Sequence, residues 1–358
     1  MSERIVVAMS GGVDSSVAAA LLVESGAETI GVTMRLSESG SRCCSLEDAD
    51  DARRVAESLG IRFYVANYVE AFGREVIEEF ADAYLAGRTP IPCVACNKQF
   101  KFDHLLERAK AFGAKHVATG HYARVTHDPE TGEARLYRAV NREKDQSYFL
   151  FSLSQEQLRA ASFPIGEMSK REVRDRARSL GLATASKPES QEICFVPDGN
   201  YAEVVERIRP EASLLHGEIV DESGAVLGKH RGIHRFTVGQ RHGLGISANR
   251  RLYVIRLDPR LRRVVVGDVS DLDCAGARVD SMNWISGRAP RETLRVRVQV
   301  RHRHTAMLAS VDAIGETAAV VRFDEPVRAV APGQAAVFYD AEHDEEVLGG
   351  GWIVEGIR

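Results

Sequence analysis

The chain of 358 residues contains no long apolar run. A membrane-spanning helix needs about 18 consecutive apolar residues, and no stretch approaches that length. The first residues lead directly into a strand-like segment, without the apolar core of a signal peptide. Hydrophobic residues make up 44% of the sequence and charged residues 27%, which is typical of a globular protein. The sequence therefore predicts a cytoplasmic protein with no membrane partner.

Cysteine and net positive charge are also scarce. Six cysteines in a long chain without an export signal indicate reduced thiols for metal or redox chemistry, rather than a disulfide framework. The net charge is −4, which does not favour nucleic acid as a partner. Residues 229–263, however, hold one lysine and nine arginines against a single aspartate. This stretch is predicted to face phosphate, although charge alone is equally typical of a solvated surface.

The first glycine-rich turn lacks both a Walker lysine and a GxGxxG pattern. It reads Ser-Gly-Gly-Val-Asp-Ser over residues 10–15, and it joins a strand-like run at 5–9 to a helical pattern at 15–25. Glycines let the backbone approach an anion, and a helix N-terminus with serine and aspartate beside it favours one. We predict that the turn holds the phosphates of ATP. For a Gly-Gly pair alone, an ordinary capped turn is the alternative.

Strand and helix patterns alternate through the first part of the chain, which predicts a doubly wound α/β fold with a parallel sheet. Ligands of such sheets bind beyond the carboxyl ends of the strands, where Ser10, Met34 and Gly120 fall. The predicted strands cover residues 5–9, 29–35, 62–67 and 116–119, with helices over 15–25, 47–59, 72–85, 97–112, 155–160 and 170–180. A hairpin is predicted around the turn at 128–132.

After about residue 210, short strands separated by Gly, Asp and Pro predict all-β structure, with a small middle domain followed by a barrel. The predicted strands are 217–220, 252–257, 264–266, 294–300, 317–323, 335–339 and 351–354. We expect an ATP-binding catalytic domain over residues 1–208, a β-rich central domain over 209–275 and a C-terminal β-barrel domain over 276–358.

Two cysteines, Cys93 and Cys96, lie three residues apart in a proline-rich loop before a predicted helix. Helix N-termini stabilise thiolates, which makes Cys96 a candidate nucleophile. Cys194 lies nearly one hundred residues later, and a single cysteine is more often a small buried hydrophobe. The adjacent pair Cys43 and Cys44 favours a structural loop over joint metal ligation, because neighbouring side chains point in different directions.

Seven blocks of this sequence, in this order, resemble the tRNA-specific 2-thiouridylases, a family within the N-type ATP pyrophosphatases. The resemblance covers nearly the full chain, and its C-terminal part is looser. The blocks are MSGGVDS at 9–15, CVACN at 93–97, FKF at 100–102, ATGHYA at 118–123, KDQSYFL at 144–150, SQEICF at 190–195 and FTVGQR at 236–241.

The resemblance implies ATP-dependent adenylation of the C2 oxygen of the wobble uridine in tRNA, followed by sulfur transfer that gives 2-thiouridine, AMP and pyrophosphate. It implies that Cys96 is the nucleophile and that Cys194 carries a persulfide and then forms a transient disulfide with Cys96. A protein that donates persulfide sulfur, either a sulfur relay protein or a cysteine desulfurase, is the expected second partner beside tRNA.

The same resemblance assigns binding residues. ATP, with Mg²⁺, is expected at Ala8, Met9, Ser10, Gly11, Gly12, Val13, Asp14, Ser15, Met34 and Gly120. Contacts to tRNA are expected from His121, Lys144, Asp145, Gln146, Arg301, His302 and Gln334.

One departure from the family pattern leaves alternatives open. Many family members carry an acidic residue at the position of Cys93. Here Cys93, Cys96 and Cys194 are candidates for an iron-sulfur cluster that carries the transferred sulfide, or for a zinc site completed by Cys43 or Cys44. An inert Cys93 is the third interpretation, and persulfide chemistry is favoured over the cluster.

Two other functions fit parts of the sequence. An amide-forming ATP pyrophosphatase would use the same loop, but the sequence has nothing like a glutaminase domain and leaves the paired thiols without a role. A nucleotide-gated RNA-binding protein without catalysis would need no cysteines in these positions.

Overall fold

A computed structural model describes residues 3–37, 46–188, 193–196 and 199–358 of the chain. The described strands are β1 Arg4–Ala8, β2 Glu28–Arg35, β3 Arg62–Asn67, β4 His116–Thr119, β5 Ala123–His127, β6 Ala134–Arg138, β7 Ala161–Ser162, β8 Gly217–Val220, β9 Val226–His230, β10 Tyr253–Asp258, β11 Arg263–Gly267, β12 Asp273–Trp284, β13 Leu294–Gln299, β14 Met307–Ile314, β15 Ala318–Arg328, β16 Ala335–Asp340 and β17 Glu346–Ile357.

The α-helices of the same residues are α1 Val13–Glu24, α2 Leu46–Ser58, α3 Val69–Phe72, α4 Glu79–Leu85, α5 Pro92–Ala95, α6 Leu105–Ala111, α7 Gln155–Ala160, α8 Lys170–Ser179 and α9 Tyr201–Ile208. Wider π-helical turns, Gly73–Glu78 and Cys96–His104, join α3 to α4 and α5 to α6. None of these helices is long and apolar enough to cross a membrane.

Five parallel strands form the first sheet, in the order β3-β2-β1-β4-β7. Successive side chains of β1 point to opposite faces, so Val6 packs into one hydrophobic core while Ile5 and Val7 pack into another. Helices α1, α2 and α8 cover the second core, and the helices between residues 69 and 111 cover the first. Both faces are buried, and the predicted doubly wound α/β fold is confirmed.

The C-terminal strands close into an antiparallel barrel of six strands, because β12 pairs with both β15 and β17. The order around the barrel is β12-β15-β14-β13-β16-β17. Valines on alternate positions fill the interior, among them Val296, Val298, Val311 and Val321. The predicted barrel is confirmed. The sequence-based prediction missed β12 and β14 and gave β17 only four of its twelve residues.

A hairpin from the first part of the chain extends the barrel sheet. Strand β5 pairs with β6, and β6 pairs in turn with β17, where Leu136 faces Val347 and Tyr137 faces Glu346. The hairpin was predicted from its turn, but its attachment to the barrel was not. As a result, the N-terminal α/β part and the barrel are joined by continuous hydrogen bonding between strands.

A four-stranded sheet, in the order β10-β11-β8-β9, lies between these two parts in sequence. Its core is formed by Ile219, Val254, Val264 and Val266 together with Phe236. The prediction of a small β-rich middle region is confirmed, although β9 was missed. The exact division at residues 208 and 275 stays a prediction.

Candidate active site

The turn after β1 has a backbone that only glycine permits. Gly11 has a φ of +70°, and a Cβ atom at this position would lie 2.2 Å from the carbonyl oxygen of Asp48. The hydroxyl of Ser15 closes the turn, because it accepts a hydrogen bond from the Ser10 amide (3.1 Å) and donates one to the Gly12 carbonyl (3.1 Å). The first amides of a helix have no partner within it, so the N-terminus of α1 favours an anion at this turn.

Positive charge reaches the turn from a distant helix. Lys170 opens α8, and its Nζ donates to both carboxylate oxygens of Asp14, at 2.7 and 2.8 Å. The Tyr122 hydroxyl donates to the same carboxylate at 2.8 Å. Ser169 and Glu172 form a capping box at the start of α8, which fixes the backbone that carries Lys170. A lysine is therefore held beside a loop that has none of its own.

The carboxyl ends of β1, β2 and β4 lie at the same edge of the sheet, as predicted. A Cβ atom on Gly120 would lie 2.5 Å from the Ser15 amide nitrogen, so the loop after β4 touches the first turn of α1. Met34 lies near the end of β2 and is buried. These contacts place Met34 and Gly120 at the edge where the turn of residues 10–15 lies, and their roles in binding ATP stay predictions.

His121 is buried directly beyond Gly120. Its Nδ1 lies 2.6 Å from the Thr119 hydroxyl and its Nε2 lies 3.3 Å from Lys101 Nζ. Because an ammonium group only donates, Nε2 accepts and Nδ1 carries the proton. Burial, reinforced by the charge of Lys101, holds the pKa of His121 well below its ordinary value. The ring is neutral and both nitrogens are used within the protein, and its predicted contact with tRNA stays a prediction.

The helix that carries Cys93 and Cys96 begins earlier than the sequence predicts. It starts at Pro92, so the exposed Cys93 lies in its first turn, while the partly buried Cys96 lies one turn inside. The backbone remains helical from α5 through the π-helical turn to α6. A helix N-terminus therefore stabilises a thiolate at Cys93 rather than at Cys96. π-Helical turns are frequent at functional sites, and this one begins at Cys96.

Cys194 packs against the same hydrophobic core as Cys96. Phe195 follows it and contacts Phe72 at a ring separation of 6.0 Å, and Phe72 contacts Phe100, one turn after Cys96, at 5.4 Å. The two segments that carry the thiols therefore lie on one aromatic cluster, although nearly one hundred residues separate them in sequence.

The structure describes the three thiols of the cluster hypothesis, but not the cysteines that would complete the zinc site. Among the residues that the structure describes, no three His, Cys, Asp or Glu side chains are grouped so that they can hold a metal ion. Cys93, Cys96 and Cys194 belong to this described set. The iron-sulfur alternative on these three thiols stays a hypothesis. Cys43 and Cys44 lie outside the described residues.

Comparison with known families agrees with this architecture. Three family models match in succession: the tRNA methyl transferase HUP domain over residues 3–198, the tRNA methyl transferase PRC-barrel domain over 202–268, and the aminomethyltransferase beta-barrel domain over 275–353. Their order is the order of the three sheets described above.

Similar proteins match over their whole length. The tRNA-specific 2-thiouridylase MnmA of Solibacter usitatus is 51% identical, with 98% of this chain and 99% of the relative covered. Those of Geobacter metallireducens (50% identical, 98% and 96% covered) and Acidobacterium capsulatum (48%, 99% and 99%) are similarly close. The chain belongs to the tRNA-specific 2-thiouridylase family. The resemblance read from the seven sequence blocks is thereby confirmed.

Residues 144–146, three of the predicted tRNA contacts, lie in a short turn after β6. Lys144 is half-buried, whereas Asp145 is buried and accepts hydrogen bonds from Arg138 (2.8 Å), the Ala139 amide (3.0 Å) and the Ser147 hydroxyl (2.8 Å). Gln146 accepts a hydrogen bond from the Tyr122 amide at 3.0 Å. Asp145 and Gln146 thus have partners within the protein, and contacts of all three with tRNA stay predictions.

The other predicted tRNA contacts of the family lie on the barrel side. Arg301 and His302 are exposed after β13, and the His302 ring packs on Phe149 at 4.4 Å. Gln334 donates to the Thr89 carbonyl at 3.0 Å, which links the barrel to the loop before α5. The structure brings Arg301 and His302 close to the turn of residues 144–149, but it places Gln334 elsewhere, against Thr89.

The sequence analysis missed three residues that shape the site of this family member: Lys101, Tyr122 and Lys170. Tyr122 and Lys101 lie inside the seven sequence blocks. Only the structure shows that Tyr122 contacts Asp14 and that Lys101 contacts His121. For Lys170 the sequence offers one local signal, the Ser-x-x-Glu capping pattern at 169–172, which predicts a helix start without indicating what the lysine contacts.

Two surface cavities lie away from the nucleotide turn of this thiouridylase homologue. One, of about 340 Å³, lies between α4 and the barrel and is lined by Phe80, Arg88, Ile91 and Trp352 among others. The second, of about 390 Å³, belongs to the basic segment and is lined by Arg241, His242, Arg250 and Arg251. The basic stretch of residues 229–263 therefore presents arginines around a depression.

Proposed function

We propose that this protein is a tRNA 2-thiouridylase. It uses ATP to adenylate the C2 oxygen of the wobble uridine and then replaces that oxygen by sulfur, which yields 2-thiouridine, AMP and pyrophosphate. The full-length relatives carry this name, and the chain has a glycine turn for ATP and two thiol-bearing segments on one core. The proposed division is a catalytic domain over residues 1–208, a central domain over 209–275 and a barrel domain over 276–358, acting in the cytoplasm.

In the first step the turn of residues 10–15 and the N-terminus of α1 hold the phosphates of ATP. Lys170 adds the positive charge that stabilises the departing pyrophosphate. Magnesium neutralises phosphate charge when it is bound, and Asp14 is the carboxylate of this turn that would hold it. Gly120, which has no side chain, lets the loop after β4 lie directly against the Ser15 amide at the start of α1. The uridine C2 oxygen attacks the α-phosphorus, pyrophosphate leaves, and the C2 oxygen becomes a good leaving group.

In the second step a donor protein loads Cys194 as a persulfide. The terminal sulfur attacks C2 and displaces AMP, which leaves the uridine joined through two sulfurs to Cys194. The Cys96 thiolate then attacks the Cys194 sulfur, forms a Cys96–Cys194 disulfide and releases the 2-thiouridine with its new sulfur. A dithiol reductant then donates two electrons and two protons to the Cys96–Cys194 disulfide, is itself oxidised to a disulfide, and restores both thiols. In the alternative order, Cys96 attacks the Cys194 persulfide first, which forms the same disulfide and releases hydrosulfide. The hydrosulfide then attacks C2 and displaces AMP.

The observation that carries this proposal is the position of the thiol helix, the helical segment from Pro92 to Ala111 that carries Cys93 and Cys96. Cys96 and Cys194 both pack against one hydrophobic core. The helical segment that carries Cys96 also reaches His121 through Lys101, beside the turn of residues 10–15. Phe102 reinforces this contact with its ring 6.5 Å from that of His121. Sulfur chemistry and ATP chemistry are thus carried by elements that touch each other.

Transfer RNA would bind to the basic segment as well as to the turns of residues 144–146 and 301–302. Arg241, Arg250 and Arg251 line one depression there, and arginines of this kind contact phosphates and release counterions. The wobble base must leave its stack to enter the site.

The proposal is tested by thiolation of tRNA with ATP and a persulfide donor, comparing the wild type with Cys96→Ser and Cys194→Ser. Both variants should lose 2-thiouridine formation while keeping tRNA affinity within about two-fold, since a thiol contributes little to phosphate binding. Cys274→Ala is the matched control, because Cys274 is buried in the barrel, and it should retain activity. Thiolation by a protein that lacks both Cys96 and Cys194 contradicts the proposal.

Cys93 separates the persulfide route from the cluster route. Cys93→Ala should retain thiolation if the sulfur comes from a persulfide, and should lose it if three thiolates hold a cluster. Iron and sulfide analysis of anaerobically purified protein provides the independent measurement, and iron in stoichiometric amount together with an inactive Cys93→Ala variant would favour the cluster.

A further inference from the structure

Arg138, the last residue of β6, is buried in a polar cluster that joins the two halves of the molecule. Its side chain is 8% exposed and that of Asp145 is 5% exposed. The guanidinium donates to Asp145 (2.8 Å), to Gln299 Oε1 (3.1 Å) and to Asp344 Oδ1 (3.1 Å). Its plane lies over the Tyr339 ring, with Cζ 3.3 Å from the ring centre.

One branch of this cluster fixes the turn of residues 144–146. The Asp145 carboxylate, held by Arg138, also accepts hydrogen bonds from the Ala139 amide (3.0 Å) and the Ser147 amide (3.2 Å). The carboxylate therefore holds the backbone both before and after the turn. Lys144 and Gln146 flank Asp145, so their direction depends on the position of its carboxylate.

The other branch fixes the turn of residues 301–302. The side-chain oxygen of Gln299 accepts a hydrogen bond from Arg138. Its amide nitrogen donates hydrogen bonds to the carbonyls of Arg301 (3.2 Å) and His302 (2.6 Å). The two turns also contact each other, because the His302 ring packs on Phe149. The Arg138 side chain therefore contacts both Asp145 and Gln299 and so joins the two branches.

We propose that Arg138 is a positioning residue for tRNA: it holds the turns of residues 144–146 and 301–302 as one surface for the phosphate backbone. The proposal rests on the proposed function, which gives these two turns a ligand. Only an arginine supplies the planar fork that reaches two acceptors in different directions and stacks on a tyrosine, whereas a lysine provides a single ammonium group.

Arg138→Lys tests the proposal, because it keeps the charge and loses the fork. We expect the Kd and the KM for tRNA to rise by at least about ten-fold, with kcat at saturating tRNA and the Kd for ATP within about three-fold. The plot of log Kd against log salt should also become shallower by about 1.5, since Lys144 and Arg301 lose their phosphate contacts. A merely destabilised protein would keep the wild-type slope.

Arg62→Lys is the matched control, because Arg62 pairs with Glu28 at the start of β3, away from the nucleotide edge. It should leave both Kd and slope unchanged. If Arg138→Lys fails to fold, as judged by circular dichroism, Gln299→Met decides instead: it frees only the turn of residues 301–302 and should remove the part of the slope that Arg301→Ala removes.

Wild-type affinity and salt slope in Arg138→Lys, or in Gln299→Met when the lysine variant does not fold, would overturn the proposal. Failure of the proposed function is separate, because it appears in the wild type as absent 2-thiouridine, whereas the affinity comparison needs only tRNA binding. If the wild-type protein does not bind tRNA at all, both proposals fall.

Discussion

At the scale of single residues, the nucleotide turn depends on a side chain from elsewhere in the chain. The turn contains no lysine, and Lys170 is 156 positions away from Asp14 in sequence. Its side chain is 12% exposed and bonded to both carboxylate oxygens. A lysine held in this way is oriented before the nucleotide arrives, which reduces the reorganisation needed during reaction.

Lys170→Ala should therefore lower kcat/KM for ATP by about 10²-fold, because a preoriented charged donor is lost where negative charge develops. Pyrophosphate release in the presence of tRNA is the measurement. Lys110→Ala is the control, since Lys110 forms an exposed pair with Glu156 and should leave pyrophosphate release unchanged. Wild-type kinetics in the Lys170 variant would mean that this lysine only stabilises the fold.

His121 predicts a pH dependence of stability. Its pKa lies well below 6.5 in the folded protein, so below pH 6.5 the unfolded chain takes up a proton that the folded chain does not. The free energy of unfolding should fall as the pH is lowered, by at most about 1.4 kcal/mol per pH unit for this residue.

His121→Asn keeps a donor toward Thr119 but cannot titrate. Urea unfolding at pH 7.0 and 5.5 should show a smaller loss of stability for this variant than for the wild type. An equal loss in both proteins would assign the pH dependence to other histidines with lowered pKa values, such as His230 and His304.

At the scale of elements, the turn between β1 and α1 distinguishes its two adjacent glycines. A methyl group on Gly11 meets the Asp48 carbonyl and requires a left-handed backbone, whereas the nearest atom to a methyl group on Gly12 is 3.6 Å away, at ordinary contact distance. Gly11→Ala should cost at least about 2 kcal/mol of stability. Gly12→Ala should cost about 1 kcal/mol, because alanine is a poorer N-cap.

Chemical denaturation of the two variants measures this difference directly. Each variant serves as the control for the other, since both add one methyl group to the same turn. Equal stability of the two proteins would show that the turn relaxes away from Asp48.

The sequence predicts elements well where their periodicity is strong. β1 is a continuous apolar run from Ile5 to Ala8, and the parallel order β2-β1-β4 brings the turn of residues 10–15, Met34 and Gly120 to one edge. β12 escaped prediction because its buried positions include Gly276 and Ala277, and β14 because it buries Ala309 as well as Val311. Small side chains fit a narrow barrel but give little hydrophobic signal.

Contacts between distant residues explain what the site prediction lacked. Lys170 and Arg138 lie on amphipathic or half-polar elements, where a charged residue usually faces solvent. Only the folded chain shows that one meets Asp14 and the other Asp145. The start of the thiol helix was misplaced because Pro92 was read as part of a loop, whereas proline is favoured in the first turn of a helix.

At the scale of the whole molecule, the hairpin of β5 and β6 couples the nucleotide-binding part to the barrel. Leu136 and Val347 face each other and both are fully buried. Because this contact belongs to both parts, loosening β17 should also expose the hairpin.

Val347→Ala should raise amide hydrogen exchange in β5 and β6 under native conditions, since removing two methyl groups from a buried site costs about 1 to 3 kcal/mol. Val311→Ala is the matched control, because Val311 is equally buried but lies on β14 on another side of the barrel. It should destabilise the barrel without selectively exposing the hairpin. Equal exchange profiles would show that the hairpin and β17 open independently.

The pairing of β6 with β17 also has a consequence for biosynthesis. Arg138 and Asp344 are 206 positions apart, so the ribosome delivers the hairpin long before the strand that completes it. Until then the nascent hairpin presents an unpaired edge, and catalytic competence must await the emergence of the final barrel strand. A translation product stalled within the barrel would therefore be a substrate for chaperones rather than a partly active enzyme.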